Sequence, residues 1–404
     1  MIKPPLTTGC RIYKVPYHLR KLNEDAHTPR VISIGPIHHD KKRFQTMEKH
    51  KARYFESFMQ RAKINLKKLE SSIREMEDSI QCCYVETFNL KSNDFVKLIR
   101  LDASFVLGLF LRYYEEKWEV DDPMFVEAWL LDVVWHELLL LENQLPFFVF
   151  EKLYQLAFPN NSNSPSLNEL TFNFFKTLNT QNKNANVEIQ HFTDLLRFFH
   201  LPPTSKLPYR DPKLTFPKYS ATQLREAGVT FKLREAGVTF KVASSKCGLD
   251  LNFKKGVLEI PLLKFLDCAE ALIRNIMALE QCDYRRDACI TVFYLILDHL
   301  INTTKDVDLL SDEGIIVNRL GDSNAVTSMI NNLSKGIFRR SMNSDYCELC
   351  EALNAFYEVE WHRWNAILKN QHFSTPWVAA STIAAIILLV LTLIQTICSI
   401  IQVV

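Results

Sequence analysis

The chain has 404 residues, 47% hydrophobic and 23% charged, a balance that excludes intrinsic disorder and allows one large domain or two ordinary ones. With 48 basic and 46 acidic side chains the formal charge is +2, so no global field recruits nucleic acid. Ten cysteines are too dilute for a disulfide scaffold, and 27 phenylalanines against 10 glycines favour helical packing over turn-rich sandwiches or barrels.

Residues 1–43 read as irregular, with a short extended run at Val31, Ile32, Ser33 and Ile34 that Gly35 and Pro36 end. The N-terminus has no apolar h-region or small-residue cleavage site, and Ile2 excludes myristoylation. Apolar periodicity predicts a long amphipathic helix over 45–76, then helices over 95–114 and 124–143. Arg100 and Asp102 interrupt the second, and Asp132, Glu137 and Glu142 the third, so neither reads as a membrane span. Pro146 breaks the chain before a further helical stretch from Phe147.

Between 159 and 188 nine asparagines, with Ser and Thr, suggest a mobile surface insertion. The nonapeptide LREAGVTFK at 224–232 recurs at 233–241; two copies are too few for a solenoid and read as a local duplication. The Val-Thr-Phe-Lys runs, 249–253 and 257–260 suit strands of a small antiparallel sheet, turned at Lys254, Lys255 and Gly256. Helices are expected again over 262–281, 287–303, 306–319, 322–335 and 344–370.

From 373 to 404 no side chain is charged, and 376–401 is long enough to cross about 30 Å of hydrocarbon as a helix. Pro376 suits a first helical turn and Trp377 an interfacial belt. Arg363 and Lys369 precede the span and nothing basic follows it, which places the body in the cytosol by the positive-inside rule and implies tail anchoring. The span's length is compatible with the plasma membrane.

Three constellations invite a chemical reading. His38, His39 and Asp40, with Glu48 and His50 downstream, carry metal-capable groups, but without His-x-x-x-His spacing they read as ordinary loop hydrogen bonding. Glu142, Asn143 and Gln144 read as groups that cap carbonyls at a helix end; Glu142 as a general acid needs a partner carboxylate. Cys347 and Cys350 form a lone C-x-x-C inside an apolar stripe and read as packed thiols. There is no phosphate-binding glycine loop and no nucleophile elbow. No catalytic, cofactor-binding or metal-ligating residue and no small-molecule ligand is therefore expected.

The ordered segments IYKVP (12–16), ISIGPIHH (32–39), MEKHKARY (47–54), LLLLENQLPFF (138–148), ATQLREAGVTF (221–231), GVLEIP (256–261) and TPW (375–377) resemble the plant-specific domain of unknown function 247 family. That resemblance covers nearly the whole chain. It implies a flowering-plant membrane protein with one C-terminal span and no established enzymatic activity. Some relatives are linked genetically to pollen–stigma self-recognition and reproductive development, which implies protein recognition. The duplicated nonapeptide departs from the family, where one copy usually stands.

The expected molecule is mainly α: one multi-helix domain over 1–372 with a small antiparallel sheet, then a transmembrane helix over 376–401. Its expected role is interaction or recognition, with a protein partner and no nucleic acid. The competing reading is an enzyme with a site near His38, His39 and Glu142. A cytosolic body leaves the sequons at Asn160, Asn302 and Asn332 bare. Glycosidase treatment of the membrane-bound full chain is therefore expected to leave its mass unchanged, and a mass loss overturns this orientation.

Overall fold

The computed structural model describes the backbone of residues 11–159, 164–203, 210–211, 213–226, 239–243, 245, 247–254, 256–284, 287–338, 341–358 and 376–403, without the side chains of 210–211, 376–379, 382, 386 and 397–403. The fold is mainly helical with small sheets.

A short helix α1 (Tyr17–Arg20) opens the described chain. The periodic stretch from 45 is two helices, not one: α2 (Gln45–Ala62) and α3 (Leu66–Cys83). Lys63 takes a left-handed conformation (φ 51°), and Asn65 then caps α3 by accepting from the Lys67 N–H at 2.9 Å. Helix α4 (Ser92–Glu115) is the central helix of the first half of the chain. Its residues 102–107 and 109–112 are all buried, and it packs against α2, α3 and two later helices, α7 (Phe147–Ala157) and α8 (Leu167–Phe174).

The predicted helix over 124–143 stops early. It consists of α5 (Pro123–Val126) and α6 (Ala128–Glu137), and Leu138 to Leu141 follow in irregular turns, all buried. The stretch from 159 to 188 is not simply a surface loop. It contains α8, held by a capping box between Ser166 and Glu169, and Phe174 and Phe175 from it enter an aromatic cluster with Phe110 and Phe192. Phe192 belongs to α9 (Phe192–His200).

The second half is built from α10 (Ala221–Glu226), α11 (Ala269–Cys282), α12 (Cys289–Leu300), α13 (Thr304–Asp312), α14 (Ser323–Leu333) and α15 (Ser344–Glu358). The nonapeptide repeat lies largely outside the described residues, as does the predicted continuation of the last of these helices to 370. The helix expected over 306–319 ends at Asp312. Gly314 (φ +72°) turns the chain there into a strand.

The strands are β1 (Arg210–Asp211), β2 (Thr239–Val242), β3 (Asn252–Lys254), β4 (Val257–Ile260), β5 (Leu263–Phe265), β6 (Ile316–Asn318) and β7 (Met342–Asn343). The antiparallel sheet expected here is instead mixed, in the order β2-β4-β3. β3 and β4 form the antiparallel pair, whereas β2 runs parallel to β4. Direction alternates from strand to strand, so placing the first beside the third makes that pair parallel. Two further pairs, β5-β6 parallel and β1-β7 antiparallel, tie distant parts of the chain together.

A final helix, α16 (Pro376–Val403), is apolar, and its described large aliphatic side chains are exposed. Among the described residues, no helix is long and apolar enough to cross a membrane. The span expected over 376–401 thus rests on the sequence and not on the fold.

Gly35 illustrates how tightly the N-terminal segment is seated. Its φ is +77°, and a Cβ there would stand 2.4 Å from the Gln144 carbonyl oxygen and 2.9 Å from the Tyr84 hydroxyl. Gly35→Ala is expected to destabilise the domain by about 2–4 kcal/mol, read as a lower urea midpoint at unchanged m-value.

Candidate functional site

Sequence reasoning singled out His38, His39 and Glu142, and the fold brings two of them together. His38 follows the turn at Gly35 and Pro36, and Glu142 lies in the turns after α6. The His38 Nε2 is 2.8 Å from the Glu142 Oε2, and both residues are buried. Arg20 from α1 also donates to Oε2, and the Val15 backbone N–H donates to Oε1 at 2.9 Å. His39 is not part of this contact; its Nδ1 lies 2.8 Å from the Pro36 carbonyl.

The charges follow from these partners. Burial pushes the His38 pKa down, against the pull of Glu142, so the imidazole is neutral and its Nε2–H donates. Burial alone would raise the Glu142 pKa. Hydrogen bonds from His38, Arg20 and Val15, with the Arg20 charge, outweigh it and hold the carboxyl below its ordinary range. Glu142 is therefore an ionised acceptor with both oxygens occupied. A general acid at neutral pH needs the opposite, a raised pKa and a free face toward substrate.

The neighbouring polar groups are used in the same way. Asn143 accepts from the Ile34 N–H at 2.6 Å and donates to the carbonyls of Ile32 and Glu137. Gln144 donates to the carbonyls of Leu138 and Leu140 and accepts from the Phe192 N–H at 2.8 Å. The capping role expected of both is what the geometry shows: they hold the end of α6 at Glu137 and Leu138 and, beyond it, irregular backbone. Glu48 does not join the histidines; it pairs with Lys51 at 2.6 Å.

Three residues of this network were missed from sequence. Glu137 accepts from the backbone N–H groups of Arg30, Val31 and Ile32 at 2.6–3.1 Å. Fully buried Lys51 reaches Asp102 at 2.6 Å and donates to the Ser33 carbonyl. Burial opposes the charge on Lys51, but Asp102 and Glu48 prevail and raise its pKa. Asn275 on α11 accepts from the Leu141 N–H at 2.9 Å and donates to the Ala26 carbonyl at 2.7 Å. A signal did exist for Lys51: it sits in the Met47, Tyr54 and Phe58 stripe of α2, where an unpaired lysine would be costly.

Cys347 and Cys350 are buried on α15, and burial pushes the Cys350 thiol up to about 12, away from a reactive thiolate. Among the described residues no cluster of three His, Cys, Asp or Glu side chains is arranged to hold a metal ion. A cavity of about 300 Å³ between α15 and the loop before β3 is lined by Tyr346, Cys247, Cys289, Asp250 and Asp345. A second of about 440 Å³ lies among Tyr113, Trp118, Phe125 and Leu131. Neither is lined by His38, His39 or Glu142.

A family model described as a plant protein of unknown function, DUF247, matches residues 12–391. The Arabidopsis thaliana UPF0481 protein At3g47200 is 30% identical over 419 aligned residues, covering 96% of this chain and 86% of that protein. The putative UPF0481 protein At3g02645 of the same plant is 22% identical, covering 95% and 89% respectively. No solved structure matches the chain significantly.

Burial lowers the His27 pKa to about 4, with Asn275 as its polar neighbour. The unfolded chain takes up this proton near pH 6.5, so the associated stability is present above that value. It falls as pH drops from about 6.5 to about 4 and is worth up to about 3 kcal/mol. His27→Gln is expected to remove that part of the acid slope in urea titrations at pH 7 and pH 5; an unchanged slope contradicts the assignment.

Proposed function

Because the chain belongs to the plant DUF247 family of unknown function, we propose that it is a membrane-anchored protein-interaction or recognition protein without enzymatic activity, in the reproductive or developmental setting its family resemblance implies. The observation that carries this reading is the occupation of Glu142. The acid–base pair most suggestive of chemistry is buried, and both carboxylate oxygens hold donors from the protein itself. It works as a clasp. Anchoring is supported by the uncharged stretch over 373–404 and by the exposed aliphatic side chains of α16, with Leu389 at 69% and Leu393 at 63%. Apolar surface of that extent calls for lipid or protein cover.

Two arginines on this helix would cost roughly 2.5–3.5 kcal/mol each at the centre of a bilayer. The full chain is therefore expected to stay with membranes through carbonate extraction, and Leu389→Arg with Leu393→Arg to shift it to the supernatant. Equal partition of both forms defeats the anchor. For the recognition role, proximity labelling in plant tissue is expected to return a small cognate set that His38→Gln leaves unchanged. Loss of biological activity in that variant, with fold and labelling intact, would favour catalysis instead.

A further inference from the structure

Residues 114–129 carry a cluster of exposed apolar side chains among the described residues. Val120 is 91% exposed, Val126 63%, Phe125 61% and Trp129 56%, and Tyr114 adds a further exposed ring. Trp118 stacks on Phe125 with ring centroids 6.4 Å apart and planes within 19°, so part of the surface is already ordered. The 440 Å³ cavity opens beside this stack. Clustered exposed aromatics beside a recess are the make-up of an interface anchor, not of an ordinary solvated face.

The charge around the patch selects what can cover it. Glu115, Glu119, Asp121 and Asp122 are each paired with Arg53, Arg61 or Arg112. Glu116, Glu127 and Asp132 make no ion pair among the described residues and are exposed, while Lys176 lies against the Tyr113 ring and Lys117 is the other base nearby. The rim is net acidic. It repels anionic headgroups, and a second copy would set acidic rim against acidic rim.

We propose that this surface docks an amphipathic segment of another protein, with an aromatic or aliphatic anchor seated beside Trp118 and Phe125 and with lysines or arginines facing Glu116, Glu127 and Asp132. The proposal rests on the interaction reading above and supplies the chemistry of the partner.

The test is selection of a displayed library of random helical peptides on the full chain in zwitterionic nanodiscs, with counter-selection on Phe125→Glu/Trp129→Glu. Both positions are exposed, and an unchanged thermal midpoint confirms that the variant folds. The expected result is a patch-dependent set that shares an apolar anchor and net positive charge. Its members should bind the double variant at least tenfold more weakly and lose affinity as salt rises from 50 to 500 mM. Enrichment of neutral or acidic patch-dependent peptides overturns the partner chemistry while sparing the interaction reading. Absence of any patch-dependent set overturns the site. Self-association of the full chain abolished by the double variant, or patch-dependent binding to anionic vesicles, assigns the surface to a second copy or to lipid and likewise overturns the proposal.

Discussion

A buried backbone segment outside any helix or strand has no ladder to receive its hydrogen bonds, and the rest of this structure depends on how that need is met. From Arg30 to Gly35, side chains take the place of the ladder: Glu137 receives three N–H groups, Asn143 one and Asp102 one. Lys51 and Asn143 supply donors to the carbonyls between them. A buried amide without a partner costs on the order of 1–3 kcal/mol, so losing several together would consume much of the stability of a typical domain. The acidic and amide residues of the central turns are kept buried for this reason.

That requirement also accounts for the unusual turns after α6. Four leucines in sequence would favour continuing the helix, yet the chain leaves it at Leu138. Asn143, Gln144 and Asn275 take up backbone groups of the turns, so leaving the helix does not strand them in the core. Helix α4 contributes Asp102 to the same end, where it meets Lys51 and the Gly35 N–H; its Arg112 pairs instead with the side chains of Asp122 and Glu119.

Much of the architecture was legible in the sequence where periodicity is long and unambiguous. The helical character, the turn at Gly35, the β3–β4 pair and the packed state of Cys347 and Cys350 were all available from pattern. Failures came where one local signal masked another. The Ser166-x-x-Glu169 capping box was obscured by surrounding asparagines, and the break at Lys63 has no proline or glycine to announce it. Of the site, the caps made by Asn143 and Gln144 could be read from their place after an apolar run. The contact between His38 and Glu142 could not, because 104 residues separate them and only tertiary packing joins them.

Sequence separation gives the N-terminal segment a further property. Val15 bonds a residue 127 positions downstream, and His27 meets one 248 positions away. During synthesis this segment is made before its hydrogen-bonding partners on α6, the following turns and α11. Its docking is therefore a late event in folding even though its translation is early. Ile32 and Ile34 wait for Glu137 and Asn143, and Ala26 and His27 wait longer still, for Asn275. The segment that ties the domain together is thus seated by residues made long after it.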